Sequence, residues 1–208
     1  VNTLLRLRKI LSGLQDTLGR RALRYGVGAS IEHARAFAAL RFDTVIDVGA
    51  NRGQFAIFAR RQFPTCRIVS FEPLARPAAT FEAIFRGDPH TRLVRAALGA
   101  QRGTATMRVT RADDSSSLLE VGRLQTAAFG TEVADMQDVP CGILGDFVDD
   151  HEWGERNLLK IDTQGSELDV LRGAEPVLGR FSAIYGELSF AELYVGQALA
   201  SEVIAYLH

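Results

Sequence analysis

Four carboxylates stand at or beside the ends of apolar runs: Asp47 in Val45-Ile46-Asp47-Val48, Glu72 after Ser70-Phe71, Asp162 after Leu158-Leu159-Lys160-Ile161, and Glu187 after Tyr185-Gly186. Carboxylates in such places can hold an ammonium, accept sugar hydroxyls or take a proton. The first run continues into a two-glycine turn, Gly49-Ala50-Asn51-Arg52-Gly53, and then Gln54 and Phe55 of an amphipathic segment. Glycines let the backbone turn sharply and approach a ligand without a Cβ in the way. A dinucleotide loop wants G-x-G-x-x-G, whose middle glycine admits a pyrophosphate. Here Asn51 occupies that place, which points to a cofactor without phosphate. S-adenosylmethionine fits: Asp47 can take its ammonium and Glu72 both ribose hydroxyls.

These residues need a scaffold that gathers strand ends. Apolar runs predict strands at Thr44–Val48, Arg67–Phe71, Arg92–Ala96, Leu158–Asp162 and Ala183–Glu187, with helices at Gln54–Gln62 and Pro77–Arg86. Continuous rather than alternating apolar runs are those of buried parallel strands, so the expected fold is a doubly wound, mostly parallel α/β sheet, Rossmann-like. In such sheets ligands bind outside the carboxyl ends of the strands. Residues 100–150 interrupt the rhythm with a strand at Ala105–Val109, the polar run Asp113-Asp114-Ser115-Ser116-Ser117 and an apolar piece at Val139–Leu144. This segment reads as an insertion, a candidate lid or acceptor-binding wall.

Residues 1–40 form a helical extension ahead of a domain at 41–208. Leu4, Leu7, Leu11, Leu14 and Leu18 make one apolar stripe between arginines, and a second helix is expected over Ile31–Leu40. The stripe packs on the domain body or on a second subunit, giving a homodimer, or it docks on an anionic membrane or lipid-linked substrate. Across 208 residues the composition is 47% hydrophobic and 24% charged with net charge −1, which suits a soluble domain with a core of its own. Cys66 and Cys141 do not make a disulfide framework. No apolar run approaches a membrane span and Leu4-Leu5 meet charge at once, so a cytoplasmic protein is expected, peripheral to a membrane at most. Basic residues lack an interleaved aromatic platform, which argues against nucleic acid.

The blocks Val45 to Gly53, Ser70-Phe71-Glu72-Pro73, Ala97-Leu98-Gly99 with Ser115 to Leu118, and Leu159 to Glu167 with Leu171-Arg172-Gly173 resemble the FkbM family of S-adenosylmethionine-dependent O-methyltransferases. Gly186-Glu187-Leu188 to Leu193-Tyr194 adds to the likeness, which covers about residues 44–195. The resemblance implies the class I methyltransferase fold. It implies that Asp47, Gly49, Asn51, Gly53, Glu72 and Leu98 line the cofactor, with Ala97 and Leu98 on the adenine. Ala50, Gln54, Phe55 and Pro73 join this set as chain neighbours, and Ser116 and Ser117 join from the serine run as contacts with cofactor or acceptor. The acceptor would be a hydroxyl of a sugar, a glycolipid or a polyketide-like metabolite, soluble or lipid-linked.

Methyl transfer to a hydroxyl needs positioning first and a base second. Asp162 is the first choice for that base, with Lys160, Glu167 and Glu187 as neighbours. Each has a plainer reading: Lys160 as the partner of a buried carboxylate, Glu167 as a first-turn acid on a helix dipole, Glu187 as a loop cap. No metal is assigned. His33, His90, His151 and His208 show no ligand spacing, Trp153 reads as a packing anchor, and Ser166 as a helix cap. The class I sheet normally continues past its fifth strand with an antiparallel pair, which this sequence does not reach. The exposed edge is expected to be covered by a partner or by the N-terminal helix, or else to mark a cofactor-binding module without turnover. A dinucleotide-dependent oxidoreductase is a further alternative.

Overall fold

The computed structural model describes residues 3–111 and 115–208, with residues 3–6 described through their backbone alone. Asp113 and Asp114 of the polar run, and the side chain of Leu4, lie outside what is described. Eight strands and eight α-helices are assigned among the described residues.

The main sheet is parallel throughout, in the order β3(Thr91–Val94), β2(Arg67–Phe71), β1(Thr44–Val48), β7(Asn157–Ile161), β8(Phe181–Gly186). Every residue of β1 and β7 is buried, because each has strands on both sides and helices on both faces. One face carries α4(Gln54–Gln62) and α5(Ala75–Phe85), which bring Phe55, Ala56, Phe58, Phe81 and Phe85 onto Val45, Ile68 and Leu158. The other carries α7(Glu167–Ala174) and α8(Ala200–Leu207), whose Val170, Leu171 and Val203 pack on Ile46, Val69 and Leu159. This is the doubly wound arrangement that the apolar runs require.

The third strand ends at Val94 rather than Ala96, and Ala97–Leu98 leave to form β4 of a second sheet. That sheet runs β4, β6(Val133–Gly142), β5(Gly103–Thr110), and the 100–150 insertion is therefore mostly a β5/β6 hairpin closed by α6(Arg123–Phe129). Met107 and Val139 seat it on Leu74 and Ala97.

The N-terminal stripe is two helices, α1(Thr3–Gly13) and α2(Thr17–Arg24). Asp16 breaks it, since its side chain caps α2 by accepting from the Gly19 N–H at 2.6 Å while its other oxygen meets Arg61 at 2.7 Å. Leu18 packs toward the core, but Leu7, Leu11 and Leu14 face outward, so the stripe does not pack on the domain body. The helix expected over 31–40 is a 3-10 turn at Ile31–His33 followed by the single turn α3(Ala34–Phe37).

Among the described residues no strand pairs with the outer edge of β8. The N-terminal segment reaches β8 through His33, whose Nδ1 lies 2.8 Å from the Tyr185 hydroxyl, so it leans on the sheet face and adds no strand. Trp153 does anchor its loop, with its ring 5.2 Å from that of Phe181.

Candidate active site

The strand order reverses between β1 and β7, and a cavity of about 260 Å³ opens there at the carboxyl ends. Gly49, Ala50, Asn51, Gln54, Phe55, Glu72, Pro73, Ala97 and Leu98 line it together with Lys160 and Asp162. Asp47, Gly53, Ser117 and Glu187 are not among its lining residues.

Two turns make most of its floor. After β1, Asn51 takes a left-handed backbone (φ 48°), and its N–H donates to Glu72 Oε2 at 2.9 Å. Glu72 Oε1 accepts from the Leu74 N–H at 2.8 Å, so the buried carboxylate is fixed between its own loop and the turn. After β7, Gln164 is likewise left-handed (φ 56°). Here Glu167 Oε1 accepts from the N–H of Thr163 at 3.0 Å and of Gly165 at 3.1 Å, and from the Thr163 hydroxyl at 3.2 Å. Glu167 therefore braces the turn, whereas Ser166, expected as the cap, has no side-chain capping bond.

The glycines act differently from the expectation that they open space for a ligand. Gly49 (φ 74°) lets β1 and β7 exits touch, since a Cβ there would collide with the Asp162 carbonyl oxygen. Gly53 (φ 92°) faces α5, where a Cβ would stand 2.9 Å from the Phe81 and Phe85 rings.

Asp47 lies inside β1 and is fully buried, so it does not reach the cavity to meet an ammonium. The Lys160 Nζ sits 3.0 Å from its Oδ1 but off the line of a hydrogen bond, and donates to the Gly49 carbonyl at 3.0 Å. Burial pushes the Lys160 ammonium toward deprotonation, yet the Asp47 and Asp162 carboxylates outweigh it and hold its pKa above the ordinary lysine value. Burial likewise raises the Asp47 pKa against the pull of Lys160. Lys160 is thus a tie between the two turns, its charge matched on the spot.

Asp162 meets the cavity beside Glu72 and Glu32, with 35% of its side chain exposed. Its Oδ1 accepts from Gln164 Nε2 at 2.8 Å, and Oδ2 is 3.8 Å from Lys160 Nζ. Gln164 is held in turn by the buried Tyr194, whose hydroxyl donates to Gln164 Oε1 at 3.0 Å. Ser117 is buried and structural: its hydroxyl donates to the Gln164 carbonyl at 2.6 Å and accepts from the Leu119 N–H at 3.0 Å. Of the two serines expected at the site, only Ser116 lines the cavity. Glu187 is exposed outside it, and repulsion from Asp162, with burial and Glu167 behind it, raises its carboxyl pKa. Among the described residues no cluster of three His, Cys, Asp or Glu side chains converges to ligate a metal.

Two buried acceptors on lining residues, Asn51 Oδ1 and Gln54 Oε1, have no hydrogen-bond partner among the described residues. Buried polar atoms are rarely left so, and a ligand bearing N–H or O–H donors would satisfy them. The Asn51 N–H, which in a phosphate loop would face a phosphate, is instead engaged by the Glu72 carboxylate. A pyrophosphate would meet negative charge there, while an ammonium or a ribose hydroxyl would be attracted.

Residues 47–208 match the Methyltransferase FkbM domain. The chain belongs to the FkbM methyltransferase family. Among curated relatives, Methyltransferase 1 of Beauveria bassiana (strain ARSEF 2860) is 26% identical over 144 residues, covering 63% of this chain and 58% of its own length. Methyltransferase sdnD of Sordaria araneosa is 28% identical over 159 residues, covering 63% and 60%. The chain thus spans well under two thirds of the length of these relatives. Two solved structures are also similar over most of the chain. The plantazolicin methyltransferase BpumL, crystallised with a pentazolic desmethylPZN analog and SAH, has 10% identity, a TM-score of 0.38 and coverage of 87% of this chain and 53% of its own. The fibrillarin/Nop5p complex has 13% identity, a TM-score of 0.39 and coverage of 84% and 65%. Such scores mark only loosely similar shapes. FkbM membership implies S-adenosylmethionine as the methyl donor, in keeping with the unpartnered Asn51 and Gln54 acceptors and with the Glu72 carboxylate at the turn.

Four lining residues come from before the matched segment: Lys9, Ser30, Glu32 and His33. Sequence reasoning missed them, because their spacing carries no ligand pattern and only folding brings them to residues 49–55 and 160–164. Burial lowers the His33 pKa, with nearby Lys160 and Lys9 acting in the same direction against Glu32 and Asp162.

Proposed function

We propose that the domain transfers a methyl group from S-adenosylmethionine to a hydroxyl of a sugar, glycolipid or polyketide-like acceptor. The observation that carries the reading is the placement of Asp162: a part-exposed carboxylate, oriented by Gln164, in one cavity with Glu72 and the unpartnered Asn51 and Gln54 oxygens. When bound, the cofactor supplies an electrophilic methyl on a cationic sulfur. Glu72 is rigid and buried, suited to accept ribose hydroxyls, and the Asn51 and Gln54 oxygens suit further donors. Ala97 and Leu98 offer apolar surface to a base ring. Asp162 accepts a hydrogen bond from the acceptor hydroxyl through Oδ2 and takes its proton as the oxygen is alkylated. Lys160 gives that carboxylate a cation 3.8 Å away and fixes the spacing of the two turns.

The test is calorimetry with S-adenosylhomocysteine, with NAD as control, followed by methyl transfer to a panel of hydroxylated acceptors. Asp162→Asn should leave S-adenosylhomocysteine affinity within about threefold and cut turnover by roughly 10² to 10⁴. Unchanged turnover would remove Asp162 from the chemistry. Binding of NAD in preference to the adenosyl compound would sink the reading.

A further inference from the structure

α1 meets the rest of the protein with its polar side. Ser12 accepts from Arg61 through its hydroxyl at 3.0 Å and its carbonyl at 3.2 Å, and Lys9 pairs with Glu32 at 2.9 Å while its stem lies over Gly28. Leu7, Ile10, Leu11 and Leu14 follow i, i+3, i+4, i+7 spacing and turn outward, 52, 48, 55 and 52% exposed. A helix of a water-soluble domain normally presents the reverse, apolar side in and charged side out. Arg8 on the same helix and Arg20 and Arg24 on α2 are exposed, and the first acidic residue of the sequence, Asp16, is engaged by Arg61.

We propose that this leucine stripe and its flanking arginines seat the domain on an anionic lipid bilayer. Apolar side chains over basic ones, on a helix lying along a surface, are the pattern that inserts at the headgroup boundary. The charge favours lipid over a second copy of the chain. A two-fold pairing through the stripe would bring like arginines together, whereas acidic headgroups neutralise them. Lys9, from the opposite side of the same helix, lines the cavity, so the helix that carries the stripe also borders the site. Resting on the methyl-transfer reading, this names the acceptor class: a hydroxyl carried by a lipid-anchored molecule.

The experiment is co-sedimentation of the chain with vesicles of phosphatidylcholine alone and of phosphatidylcholine mixed with phosphatidylglycerol. At least about tenfold more protein should partition onto the anionic vesicles, with the excess falling as salt rises. The L7S/L11S variant should lose that partition. Its changes are to exposed side chains, so its melting and S-adenosylhomocysteine affinity should match the parent. No binding, equal binding to both vesicle types, or undiminished binding of the variant would overturn the proposal. So would a concentration-dependent dimer that the variant abolishes. If S-adenosylhomocysteine fails to bind parent and variant alike while the vesicle result stands, the methyl-transfer reading fails and the membrane seat survives.

Discussion

The turns after β1 and β7 solve one problem with different materials. Both leave a buried parallel strand, both place a left-handed amide-bearing residue at the apex (Asn51, Gln164), and both give their N–H groups to a buried glutamate (Glu72, Glu167). The first glutamate comes from the neighbouring strand's exit and also lines the cavity. The second comes from the turn's own helix, and the turn then takes extra support from Ser117 and Tyr194, 47 and 30 residues from Gln164. One turn is braced by a group suited to contact the cofactor. The other is braced from behind, which leaves Asp162 and Gln164 facing the cavity.

Lys160 joins the two turns, so its loss should have the largest effect on either. Lys160→Met leaves Asp47 buried without its cation and should lower the unfolding free energy by about 3–5 kcal/mol in urea titration. A loss under about 1 kcal/mol would show that the tie is dispensable. The two glutamates should then separate. Glu72→Ala should weaken S-adenosylhomocysteine binding by about tenfold to a hundredfold, while Glu167→Ala lowers turnover with affinity held within a few-fold. Equal losses of affinity would erase the distinction between the turns. Tyr194→Phe removes one hydroxyl from behind the second turn and should cost about 1 kcal/mol of stability, with turnover reduced more than cofactor affinity. The smallest effect concerns His33, whose folded pKa is depressed below the unfolded value of about 6.5. Its contribution is present in full above that value and is lost as pH falls through the folded pKa, because the unfolded state binds the proton more readily. Stability should therefore decline with acidification below about pH 6.5 more steeply in the parent than in His33→Gln.

The first turn was legible and the second only in part, for a physical reason. Strands β1 and β2 and helix α4 fall at their expected residues, since a continuous apolar run and a period of 3.6 are local signals. Asp162 and Glu72 follow from strand ends in the same way. The burial of Asp47 was not readable, because its place at a strand's end looks the same in sequence whether its side chain faces ligand or Lys160. Ser117 and Tyr194 act through backbone and amide contacts across long sequence separations, for which the chain carries no periodic trace. The outward stripe of α1 was read as a stripe, but its direction depended on Asp16 breaking the helix and on Arg61 and Glu32 claiming the polar side.

Ser30, Glu32 and His33 reach the cavity from a stretch both bonded to and packed into the matched domain: the Ser30 N–H donates to the Gln54 carbonyl at 3.1 Å, His33 meets the Tyr185 hydroxyl, and Phe37 is buried against the Phe55, Phe58 and Tyr185 rings. Ala29 and Phe37 anchor this wall in the core, while the exposed Glu32 can change without disturbing Glu72, Asn51 or the central sheet. Under the methyl-transfer proposal, selection could then retune the acceptor at that one position while the donor half is inherited unchanged.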